Sequence, residues 1–156
     1  MKNVWRTGTI AMIIPLIALF FSCASAPYVQ KDQGVLKLVD LINEGTVNGQ
    51  EGLAQTPFAL DTETLYLEND VATLWDNLHE AGFTLTSPRI VKKEPVTGET
   101  WRVFADSYDM KNFFARYTGK DTSLVTLETG EGTVQLLLEP ELHGYPRIRG
   151  IKGPEQ

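Results

Sequence analysis

Apolar and polar positions alternate along this chain in two distinct rhythms. Val35, Leu38, Val39 and Ile42 fall at i, i+3, i+4 and i+7, with Leu36 and Leu41 widening the apolar face, which predicts a first helix. Asp32 lies near its start and Gly45 is placed to end it. Gly45 to Gln55 is polar and glycine-rich and reads as a loop. Pro57 to Leu60 and Thr64 to Leu67 flank Asp61-Thr62-Glu63, a pattern for a small hairpin or two short strands. Val71, Leu74, Trp75 and Leu78 form the stripe of a second helix, capped by Asn69 or Asp70 and closed at Gly82, with Phe83 folding back onto Leu78. Beyond Phe83 the rhythm shortens to that of strands. Thr84 to Thr86 alternates briefly; Arg89 to Val96 and Trp101 to Ala105 read as a hairpin across Thr97-Gly98-Glu99. Ser123 to Thr129 and Thr133 to Glu139 form a clearer one across Gly130-Glu131-Gly132, and Arg147 to Ile151 supplies a last strand. Met110, Phe113, Phe114 and Tyr117 repeat with helical spacing between Asp109 and Gly119, yet also read as an aromatic strand. The preference of aromatics for sheets favours the strand.

The first 23 residues follow neither rhythm. Lys2 and Arg6 precede an apolar run, Ile10 to Phe21, and small residues follow around Cys23. These are the three parts of a secretory signal. The run is shorter than the ~20 residues of a spanning helix and contains Pro15. Ala24-Ser25-Ala26 has the A-x-A form, but Pro27 follows it and makes a poor scissile bond. Phe20-Phe21-Ser22-Cys23 resembles the lipobox of bacterial lipoproteins. Ser22 fits; Phe20 and Phe21 stand where the family usually has Leu and a small residue. The resemblance implies a signal peptide over 1–22, acylation of Cys23 and a membrane tether, because two acyl chains hold stably where one does not. It also implies the outer membrane, since Ala24 and Ser25 lack the aspartate that retains family members at the inner one. The expected organisation is a short tether over 23–31, one domain over 32–152 and a tail over 153–156.

Composition narrows the partners. Without Lys2 and Arg6 the chain keeps 12 basic and 20 acidic residues, and Cys23 is its only cysteine, so no internal disulfide holds the exported fold. Residues 24–86 carry ten acids against Lys31 and Lys37, whereas residues 87–156 carry ten of each sign. An acidic half of this kind reads as a solvated surface and argues against nucleic acid, which wants a basic stripe.

Two amino-terminal helices around a short β element, then antiparallel strands, make an α+β layout. Its element order from Gly34 to Lys152, with Asn43-Glu44-Gly45 after the first helix and Arg147 to Ile151 as closing strand, resembles the cystatin-like α+β rolls of the nuclear transport factor 2 (NTF2) type. The resemblance implies helices packed on a curved antiparallel sheet and a cone-shaped pocket.

Catalytic patterns are sparse. His79 and His143 are the only histidines, too isolated for a zinc site. Asp61-x-Glu63 lacks the EF-hand glycine, Gly119-Lys120 is followed by Asp121 rather than Ser or Thr, and no G-x-S-x-G occurs. Within the roll resemblance, Asp106 beside Tyr108 is the carboxylate that an isomerase or hydrolase would use if burial raised its pKa. The broader expectation is a non-catalytic binding or assembly module of the cell envelope that needs no cofactor. Its ligand, an envelope protein or a small apolar molecule, would meet Phe58, Tyr66, Trp75, Phe104 and Tyr108. Arg147 and Arg149, two apart on one strand face, would meet an acidic partner or neutralise the acidic half internally.

Overall fold

The computed structural model describes the backbone of residues 26–47 and 53–155, with side chains from Gln33 onward. Helix α1 (Ala26–Asn43) is followed by strands β1 (Ala54–Leu60) and β2 (Glu63–Leu65) and helix α2 (Glu68–Glu80). Strand β3 (Arg89–Pro95), a 3-10 turn η1 (Thr100–Val103) and helix α3 (Tyr108–Tyr117) come next, then β4 (Ser123–Thr129), β5 (Gly132–Leu142) and β6 (Tyr145–Glu155). The strands form one sheet in the order β2-β1-β6-β5-β4-β3. This is an α+β domain with a mixed sheet, because β1 runs parallel to β6 while every other neighbouring pair is antiparallel.

The helix stripes do what their spacing predicts. Val35, Leu38, Val39 and Ile42 of α1 are at most 4% exposed, and α1 packs along β6. From α2, Val71 and Trp75 are buried and Leu74 and Leu78 pack beside them. Both helices lie on one sheet face, closing a core with Phe58, Val125, Leu127, Leu136, Leu138, Ile148 and Ile151. Each fully buried aliphatic side chain there contributes roughly 2 kcal/mol. Gly45 and Gly82 adopt φ of +68° and +71°. At the second, Phe83 N–H donates to Leu78 O at 2.9 Å and Phe83 packs on the core, closing the helix as expected. Helix α1 starts at Ala26, so helix occupies most of the stretch expected as tether and Asp32 sits inside it rather than at its cap. Leu67, not Asn69 or Asp70, occupies the N-cap position of α2, and no side chain caps that end.

The opposite face departs further from expectation. Residues 108–117 form helix α3 rather than a strand, and Ser107 Oγ caps it by accepting from Met110 N–H at 3.2 Å. A strand would send Phe113 and Phe114 to opposite faces. The helix turns both, with Met110, onto the sheet, where they meet Trp101, Phe104, Ala59, Leu124 and Leu137 in a second core. The stretch 101–105 is not a strand either. Thr97 N–H donates to Thr100 Oγ1 at 2.8 Å and Trp101 Nε1–H to Gly98 O at 2.9 Å, so local bonds wind the chain into η1 instead of a hairpin. Helical elements therefore cover both faces of the sheet, giving three layers.

The parallel β1–β6 pairing makes the expected all-antiparallel sheet a mixed one. Pairing with β5, Gln135 against Lys152 and Thr133 against Glu155, extends the last strand through Glu155, across the segment expected as a tail. Gly150 permits the pairing: a Cβ there would stand 2.9 Å from both Cβ and O of Ala59.

Candidate functional site

The aromatic residues expected to line one pocket are not brought together. Phe58 and Trp75 meet edge to face in the first core, with ring centroids 6.0 Å apart, and both are buried. Phe104 lies in the second core, across the sheet. Tyr66 and Tyr108 are 55% and 77% exposed. The cone expected between helices and sheet is filled by side chains, because α1 packs along β6 and α2 on β1 and β2, with both stripes in one core. Asp106 is not buried among aromatics: its side chain is 81% exposed and faces Arg102 Nε at 3.9 Å. His79 and His143 are both exposed. Cys23 lies outside the described residues.

Arg147 and Arg149 do share a face and turn inward. Arg149 Nε–H donates to Glu139 Oε1 at 2.9 Å, with both side chains almost covered, and Nη1 reaches the carbonyls of Thr56 and Pro57 at 3.4 Å. Arg147 Nη1 donates to Gln55 Oε1 at 3.2 Å. These bonds tie β6 to β5 and β1 beneath the sheet.

A concavity lies elsewhere. It is an open groove of about 610 Å³ at one end of the sheet, where β3 and β5 finish and β4 and β6 begin. Pro95, Leu138, Pro140 and Pro146 give it an apolar floor, and Lys93, Lys120, Asp121 and Glu141 stand around it. Strand alternation explains its place. Ser123, Leu138 and Pro146 fall on the same face as Val125, Leu136 and Ile148 of the first core, so the groove continues the face that α1 and α2 cover. Gly34 of α1 passes so close to the end of β5 that a Cβ there would come 2.8 Å from Glu141 Oε1, at the rim of the groove. Lys37, one turn on, sits 4.9 Å above the Tyr145 ring. Gly34 thus brings α1 to the edge of the groove.

None of the groove residues stood out in the sequence. Prolines at Pro95, Pro140 and Pro146 were the available signal, since proline in a sheet marks strand ends and irregular pairing. Pairing between β5 and β6 does shift register between Leu138 and Glu141.

The groove offers a bound molecule an apolar floor, the ammonium groups of Lys93 and Lys120, and carboxylates from the strand ends, among them Glu139, which Arg149 holds. Among the described residues no cluster of His, Cys, Asp and Glu is arranged to hold a metal ion. Glu131, at the β4–β5 turn, has its carboxyl group held below the usual range. The Thr86 hydroxyl and then the Thr86 N–H hydrogen-bond its carboxylate, at 2.6 and 2.9 Å. That contact pins the 84–86 segment and is remote in chain from the groove.

No family model matches the chain. Comparison with curated proteins and with solved structures likewise finds no match. Among the described residues no helix is long and apolar enough to cross a membrane.

Proposed function

We propose that this protein is a lipid-anchored module of a bacterial cell envelope that holds a partner or a small apolar ligand without turning it over. Cys23 carries the lipid, and the anchoring membrane is the outer one, as Ala24 and Ser25 favour. The observation that carries the reading is the approach of α1, at Gly34, to Glu141 at the rim of the groove. Helix from Ala26 to Gly34 spans about 12 Å, and the residues between Cys23 and Ala26 add at most ~10 Å. An acylated Cys23 then holds the groove within about 25 Å of the bilayer surface, facing what lies there. The element order, with both α1 and α2 on one face of a sheet whose β3 to β6 run as an antiparallel series, supports a relation to the cystatin-like roll. The filled core argues against that family's interior pocket as the binding site. An isomerase or hydrolase built on Asp106 has no geometric support, because its carboxylate stands in solvent.

Mass spectrometry of the protein taken from native membranes tests the anchor. The expected product begins at Cys23 with a thioether-linked diacylglycerol, and Cys23→Ser releases the protein from the envelope fraction. An unmodified amino terminus downstream of Cys23 refutes the reading.

A further inference from the structure

Among the described residues the sheet ends at two edges, β2 and β3, and their surroundings carry opposite charge. Asp61, Glu63, Glu68 and Asp70 border β2 with no cation in the stretch 61–70, and all four are exposed. Tyr66 and Leu67, 55% and 64% exposed, stand among them. On β3, Arg89, Lys92 and Lys93 outnumber Glu94. A register shift between Ile90 and Lys92 accompanies Val91, which is 50% exposed. Arg89 pairs with Glu128 and Lys92 with Glu94, but the cations stand further out. Their side chains are 72% and 61% exposed, against 49% and 39% for the carboxylates. Exposed pairs of this kind are worth at most about 1 kcal/mol, so exchanging them for another molecule's carboxylates costs little.

Charge decides which edges meet. Two β2 edges would set carboxylates against carboxylates, and two β3 edges would set cations against cations, a common guard against edge pairing. Only β2 against β3 brings opposite charges together, with Tyr66 and Leu67 facing Val91.

We propose that copies of this chain associate edge to edge, β3 of one copy against β2 of the next. The contact is heterologous and leaves one edge of each kind free at the ends, so it builds rows rather than closed dimers. Because β2 has three residues, side chains rather than backbone pairing carry the contact. Confinement to one membrane raises the effective concentration of copies; to that extent the inference rests on the anchored reading, while the charge pairing does not.

Sedimentation equilibrium of the full chain in detergent tests it. At low salt the average mass rises with protein concentration, and at about 0.5 M salt it returns to monomer as screening shortens to a few ångströms. Glu63→Lys with Glu68→Lys, and separately Lys92→Glu with Lys93→Glu, each hold the protein monomeric. Mixing these two variants restores association, as does the chain carrying all four changes. A monomeric wild type at low salt, or a mixture no heavier than its components, overturns the proposal. Equal loss of association on reversing Asp121 and Glu141 at the groove also overturns it. Acylation of Cys23 is read separately by mass, so monomers with a lipidated Cys23 sink the association and leave the anchor standing.

Discussion

The Arg149–Glu139 pair is the most consequential polar contact in the sheet, and its removal has a calculable result. The two groups lie 2.9 Å apart with side chains 13% and 12% exposed. At an effective dielectric of about 20 their gross attraction is about 6 kcal/mol, most of it offset by the cost of taking both charges out of water. Removing one partner cancels the attraction and leaves the other charge stranded. Replacing Arg149 with Met therefore costs about 3 kcal/mol, the low end for buried pairs, because residual exposure lets water reach Glu139. With a urea m-value of about 1.5 kcal/mol/M, the midpoint falls by about 2 M. Equilibrium urea unfolding by tryptophan fluorescence measures this, since Trp75 and Trp101 report on the first and second cores. Glu139→Leu alone strands the guanidinium and also destabilises. The double variant, with an apolar pair in place of the ions, lies within about 1 kcal/mol of wild type. Simple addition of the two single losses in the double variant would refute the reasoning, because each loss is attributed to the charge left behind.

Two further expectations concern stability. Glu131 is held below its ordinary pKa first by the Thr86 hydroxyl and then by the Thr86 N–H. A depressed folded-state value contributes stability above the unfolded pKa that is lost as pH falls through the folded one. Glu131→Gln should thus flatten the acid limb of a stability–pH curve and speed hydrogen exchange at Thr86; an unchanged acid limb counts against the contact. The Thr64 hydroxyl is sealed from solvent with no hydrogen-bond partner, so Thr64→Val removes an unmet polar group and raises stability by about 1 kcal/mol, a melting-temperature gain of about 3 °C. A lower melting temperature would show that the hydroxyl is satisfied.

Periodicity alone determined what is local in this protein. The α1 and α2 stripes, the glycine closures at Gly45 and Gly82 and the β4–β5 hairpin at Gly130-Glu131 were legible because each depends on neighbours a few residues away. The expectation of export and lipidation at Cys23 is of the same local kind, resting on a contiguous run of residues. Tertiary structure decided whatever needed a partner far along the chain. Phe113 and Phe114 fit a strand or a helix equally by spacing; η1 and the sheet face of Ala59, Leu124 and Leu137 offer one apolar surface, and only a helix turns both rings toward it. The parallel pairing of β1 with β6 joins segments about 90 residues apart and required the missing side chain of Gly150. The groove was invisible for the same reason: β3, the 120–123 stretch and β5 each contribute a short run and β6 adds Pro146, and no window of sequence contains more than a fragment of it.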